Sequence, residues 1–179
     1  MNYAALKTCD IANGPGVRVT LFVSGCTNAC DGCFQPETWD FNYGNPFDEI
    51  PKERIRTELS HPYVRGLTLL GGDPFEPSNQ EALVPFLREI RSEFPDKDIW
   101  AFTGFVYEDL LASGSHPRTA VTDEMLSLID VLVDGPYISD LYSITLRFRG
   151  SSNQRLIDLK KTRESGEIVI WDDGNRHSM

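Results

Sequence analysis

Four short runs rich in β-branched, aromatic and other apolar residues recur along this chain: VRVTLFV (17–23), LTLL (67–70), DIWAF (98–102) and VLVD (131–134). Runs of this kind read as buried strands. Longer amphipathic stretches separate them. DEIPKERIRTELS (48–60) reads as a helix with Asp48 and Glu49 at its positive N-terminal end. PSNQEALVPFLREIRSEF (77–94) reads as another, with Ser78 and Glu81 at capping-box spacing and Pro85 predicting a kink. VYEDLLAS (106–113) and TDEMLSLI (122–129) are helical pieces around a loop at 113–117. Strand, crossover helix and strand in repetition imply parallel strands joined by right-handed connections. About four or five such units fit, fewer than the eight units and ~250 residues of a closed (β/α)8 barrel. The expected class is α/β, built as a partial, open (β/α) barrel-like parallel sheet.

With 179 residues and 40% hydrophobic content, the chain can bury one sizeable core. The predicted organisation is a catalytic domain over 1–160 and a C-terminal extension over 161–179, in which EIVIW is apolar enough to form a short strand. Lys and Arg number 17 against 27 Asp and Glu, a net charge of −10. That is the wrong sign for wrapping phosphates, so no nucleic acid partner is expected. No apolar run approaches the ~18 residues of a membrane span, and MNYAALKTCDIANGPG lacks the basic and apolar regions of a secretory leader, so a cytoplasmic location away from membranes is expected.

Each unusual loop directly follows a predicted strand. SGCTNACDGCF follows the first, GGDPF the second, TGF the third and DGPY the fourth. In parallel α/β folds the carboxyl ends of the strands are where ligands bind, so four such loops on one rim describe one site. Cys26, Cys30 and Cys33 form a C-x3-C-x2-C pattern without a fourth cysteine nearby. Three thiolates in one short loop suit three corners of a cubane iron–sulfur cluster. The fourth iron then lacks a protein ligand and can take substrate, as catalytic zinc sites keep one position open. The competing reading is a structural zinc held by Cys9, Cys26, Cys30 and Cys33; Cys9 otherwise reads as a small buried apolar side chain. In GGDPF, the two glycines let a ligand approach the backbone, whose carbonyls can accept hydrogen bonds from an ammonium group.

The three cysteines together with GGDPF resemble the radical S-adenosylmethionine superfamily. Within it, NGPGVRVTLFVSGC, KDIWAFTGF, VLVDGPY and FRGSSNQRLID, in that order over about residues 8 to 160, are similar to the enzymes that activate the anaerobic ribonucleoside-triphosphate reductase. The resemblance implies an oxidoreductase with one 4Fe–4S cluster per chain, ligated by Cys26, Cys30 and Cys33. It implies that S-adenosylmethionine chelates the open iron and is cleaved, with an electron from reduced flavodoxin or a similar donor, to a 5′-deoxyadenosyl radical. That radical would take a hydrogen from a glycine of the reductase, leaving a glycyl radical. Gly71, Gly72 and Asp73 would meet the methionyl amino group, and Gly32, Cys33 and Phe34 would lie along the cofactor near its adenine. Gly32 stands where the superfamily usually has an aromatic residue, and Asp73 stands where it usually has glutamate.

Two other functions share parts of this pattern: a radical S-adenosylmethionine enzyme acting on a small molecule, and a zinc-stabilised binding module without catalysis. A protein substrate predicts a lateral opening in the sheet through which a glycine loop can enter. The tract from Arg147 to Arg163 holds six basic residues and one acid, Asp158, and predicts a basic docking patch for an acidic surface.

Overall fold

The computed structural model describes residues 1–174. One seven-stranded sheet organises them: β1 (Asn2–Asp10), β2 (Val17–Val23), β3 (Asn45–Pro46), β4 (Val64–Gly71), β5 (Asp98–Phe102), β6 (Val131–Asp134) and β7 (Arg155–Asp158), in the spatial order β3-β1-β2-β4-β5-β6-β7. The four strands expected from sequence are β2, β4, β5 and β6, and they pair in parallel. β1 adds antiparallel to β2, β3 to β1, and β7 to β6. The molecule is thus a mixed α/β structure, parallel only in the middle of its sheet.

A single row shows how the register makes the core. Leu21 pairs with Leu69, Leu69 with Ala101, Ala101 with Leu132 and Leu132 with Ile157. All five are fully buried. Helices α1 (Glu49–Leu59), α2 (Pro77–Glu93) and α4 (Thr122–Leu128) supply Ile55, Leu59, Leu83, Leu87, Ile90 and Met125 to the same core. A short helix α3 (Tyr107–Leu111) and a C-terminal α5 (Leu159–Ser165) complete the set. Alternate strand residues face the other way. There Trp100, Val131, Val133 and Leu156 form a second cluster, closed by Phe148 and Trp171.

Three sequence expectations change. α1 starts at Asp48 and Glu49 as expected, with the Asp48 side chain accepting from the Ile50 amide, but α2 has no capping box. Pro77 opens that helix after Glu76, whose side chain makes no cap hydrogen bond and reaches elsewhere, while Ser78 lies inside. Cys9 is exposed on β1 rather than buried. EIVIW forms no separate strand: Ile170 bridges Ile157, with Asp158 N–H donating to the Val169 carbonyl and Trp171 N–H to the Leu156 carbonyl. The expected domain boundary at residue 160 falls within α5. Among the described residues no helix is long and apolar enough to cross a membrane.

Candidate functional site

The loops after β2, β4, β5 and β6 line one cavity of about 400 Å³. Cys26, Cys30, Cys33 and Phe34 come from the first; Gly71, Gly72 and Asp73 from the second; Thr103 and Gly104 from the third; Gly135 and Tyr137 from the fourth. Gly32 is exposed and outside this lining; its left-handed φ of 72° is the backbone reason that glycine stands there.

The cysteine loop is pinned at its base. Gly25 and Cys26 amides donate to the Thr38 and Trp39 carbonyls at 2.8 and 3.3 Å, and the Gly25 carbonyl accepts from the Asp73 amide at 2.8 Å. Gly72 N–H reaches the Val23 carbonyl at 2.7 Å. A Cβ on Gly71 would lie 2.6 Å from the Val23 oxygen, and one on Gly72 2.5 Å from the Gly25 oxygen. The paired glycines therefore let the chain's own strand ends approach each other.

Asp73 is the keystone of the rim. Its carboxylate is buried and accepts four hydrogen bonds: Phe75 N–H at 2.8 Å, Asn28 Nδ2 at 2.8 Å, Thr103 Oγ1 at 3.0 Å and Gly104 N–H at 2.8 Å. Its carbonyl accepts from Asn79 Nδ2 at 2.9 Å. Three loops are thereby tied to one side chain. Burial pushes the Asp73 carboxyl up to about 7, against the amide and hydroxyl hydrogen bonds that favour its charged form. Burial also pushes the Cys26 thiol up to about 11, aided by the nearby Asp73 charge, although Asn28 Nδ2 approaches Cys26 Sγ at 3.6 Å.

Glu76, buried beside the helix start it does not cap, holds the cysteine loop instead. Its Oε1 accepts from Thr27 N–H at 2.7 Å and Thr27 Oγ1 at 2.6 Å, and its Oε2 stands 3.0 Å from His116 Nε2. GSSNQ (150–154) staples the DGPY loop: Gln154 Nε2 donates to the Gly135 carbonyl at 3.0 Å and Asn153 Nδ2 to the Pro136 carbonyl at 2.8 Å. Asn28 and Thr103 lie in loops the sequence placed on the rim, but their bonds to Asp73, like that of Glu76 to Thr27, were not legible because each partner is distant in sequence.

Most of the basic tract is paired within the protein. Arg155 pairs with Asp134 and Glu108, Lys161 with Asp158 at 3.2 Å and Arg149 with Asp173 at 3.8 Å. Arg163 donates to the Leu126 carbonyl at 2.9 Å. Charge concentrated in sequence is largely met by acids and carbonyls folded against it. Arg149 also lines the cavity and is the one cationic side chain that does so among the described residues.

The three cavity cysteines are free thiols, half-buried. Among the described residues no set of three His, Cys, Asp or Glu side chains is arranged to hold one metal ion. A structural zinc needs its donors about one centre, whereas a cubane cluster gives each cysteine its own iron. Cys9, the fourth ligand a zinc would need, is outside the cavity lining. The donor set fits a cluster.

Comparison with known proteins points the same way. Residues 12–157 match the model of a 4Fe-4S single cluster domain. A Haemophilus influenzae protein is 43% identical over 156 residues, covering 86% of this chain and 96% of its own length. Proteins of Enterobacteria phage T4 and Escherichia coli K12 are each 41% identical, covering 87% and 86% of this chain and 93% and 96% of their own lengths. All three are named anaerobic ribonucleoside-triphosphate reductase-activating protein.

Proposed function

This chain belongs to the family of anaerobic ribonucleoside-triphosphate reductase-activating proteins with a 4Fe-4S domain, and we propose on that footing that it is an oxidoreductase that generates the glycyl radical of such a reductase. The observation that carries the reading is the meeting of three free cysteines and the Gly71–Gly72 backbone in one cavity at the carboxyl ends of the parallel strands. When bound, a 4Fe–4S cluster and S-adenosylmethionine supply the one-electron chemistry that removes a hydrogen from a glycine of the partner.

The chain's own residues have distinct tasks. Cys26, Cys30 and Cys33 hold the cluster as thiolates. The Gly71–Gly72 backbone faces the cavity and receives the methionyl ammonium. Asp73, with its carboxylate taken by four protein donors, fixes that strip in place. Arg149, the one cationic side chain lining the cavity among the described residues, faces the methionyl carboxylate. Phe34 and Cys33, which line the cavity where Gly32 does not, border the adenine.

The partial-barrel description of the sheet belongs to the same reading, with residues 1–160 as the catalytic unit and 161–179 as a C-terminal extension. So do a cytoplasmic setting and a reduced flavodoxin-type donor. The test is anaerobic reconstitution with iron and sulfide, followed by visible absorbance and assay of methionine release from S-adenosylmethionine under a low-potential reductant. Colour and cofactor cleavage that Cys30→Ala abolishes are expected; a colourless protein that retains zinc would overturn the reading.

A further inference from the structure

Residues 137–146 form a ridge beside the cavity that turns its apolar side chains to water. Ile144 is 85% exposed, and Phe34, which leans against the ridge from the cysteine loop, is 72% exposed. Ile138, Leu141 and Tyr142 are exposed as well. The Phe34 ring centroid lies 5.1 Å from that of Tyr137 and 6.4 Å from that of Tyr142. Single exposed apolar residues are ordinary, but a contiguous aromatic and aliphatic patch marks a binding surface.

The ridge is a constructed element. A single 3-10 turn, Ser139–Leu141, shapes it. Ser151 Oγ accepts from Ile138 N–H at 3.2 Å, Ser152 N–H donates to the Leu141 carbonyl at 2.9 Å, and Tyr142 bridges Ser151. Its backbone is thus anchored on GSSNQ, while its large side chains are left without a protein partner on their outer side. Among residues 137–146 the only charged side chain is Asp140.

We propose that this ridge, with Phe34, is the docking surface for the polypeptide substrate: an extended, glycine-bearing loop of the reductase whose flanking side chains are apolar. The inference rests on the function proposed above and names the part of the protein that recognises the partner. Continuity with the cavity selects this occupant. Phe34, Tyr137 and Leu146 belong both to the ridge and to the cavity lining, so one apolar surface runs from solvent to the reaction site. In an extended segment, neighbouring side chains point to opposite faces. A glycine has none, so its Cα can enter the cavity while its neighbours rest on the ridge. A second copy of this chain seated there would cover the cavity mouth that a protein substrate needs. The chemistry is also the reverse of a basic docking patch: contact through nearly uncharged surface should depend only weakly on salt.

The test uses the reconstituted enzyme and the intact reductase. Leu141→Ser/Ile144→Ser and, separately, Ile144→Lys alter exposed positions, where substitution leaves the fold essentially intact. Cofactor cleavage without reductase should stay at the wild-type level. Affinity for the reductase, by sedimentation or biolayer interferometry, should fall by about tenfold or more, the size of losing a well-packed apolar contact. The glycyl radical signal should then need correspondingly more reductase and recover at saturation. Wild-type affinity and activation by both variants would overturn the ridge proposal alone. A variant effect confined to self-association of this chain would also overturn it. Cofactor cleavage by the wild-type enzyme with no radical on the reductase would remove the proposed function and the ridge with it.

Discussion

Replacing Asp73 with alanine should loosen the rim before it touches any ligand. Four donors lose their acceptor: the Phe75 and Gly104 amides and the Asn28 and Thr103 side chains. The side chains can re-aim, but the amides cannot move without the backbone. Two unsatisfied amides, one buried and one part-buried, at about 1–3 kcal/mol each, set a loss of roughly 2–6 kcal/mol. A domain with about 5–15 kcal/mol of total stability feels that strongly. Anaerobic urea unfolding of the cluster-free protein measures it, with Asp73→Asn as a milder control that keeps one acceptor oxygen. A stability within about 1 kcal/mol of wild type would refute the keystone role. If that stability came with weakened S-adenosylmethionine binding, the carboxylate would be serving the cofactor rather than the rim.

Gly104→Ala would place a Cβ 2.6 Å from Asn28 Nδ2, forcing that side chain away from Asp73 and Cys26; a loss of about 1–3 kcal/mol in the same unfolding assay is expected. Arg18 is fully buried, 2.6 Å from Asp98 Oδ1, and donates to Thr68 Oγ1 and the Leu67 carbonyl. Asp98→Ala leaves that guanidinium without its counter-charge and should cost about 3–5 kcal/mol, whereas Arg18→Met, which removes the buried charge itself, should cost less. In the cluster-free protein the Cys26 thiol titrates at about 11, so its thiolate fraction is small at neutral pH and grows as pH rises. Its alkylation rate, read by mass spectrometry, should increase roughly tenfold per pH unit across pH 7–10, and a rate already flat over that range would contradict the burial that raises it.

The sequence made the central sheet legible because β2, β4, β5 and β6 are dense in apolar and β-branched residues and are separated by amphipathic helices. β1 escaped notice: NYAALKTCD is mostly half-buried, so its alternation is faint, and Cys9 falls on an exposed position. β7 was hidden inside a basic tract. Its Arg155 reads as a surface charge until Asp134 and Glu108, both distant in sequence, fold against it. The Ser78–Glu81 spacing promised a cap, but Pro77 opens α2 after Glu76, whose carboxylate is drawn to Thr27. In the site, the cysteines and glycines were visible from spacing alone. The side chains that hold them, Asn28, Glu76 and Thr103, form no local motif. Asp73 was visible, yet its orientation was not: one short carboxylate gathers donors from three loops, which no linear pattern records.

The most direct test of the account is electron paramagnetic resonance of the reductase after anaerobic incubation with the reconstituted protein, S-adenosylmethionine and a low-potential reductant. The account predicts a glycyl radical on the reductase, formed with wild-type protein and absent with Cys26→Ala, Cys30→Ala or Cys33→Ala. Methionine release without any radical on the reductase, or a radical that survives loss of these cysteines, would contradict it.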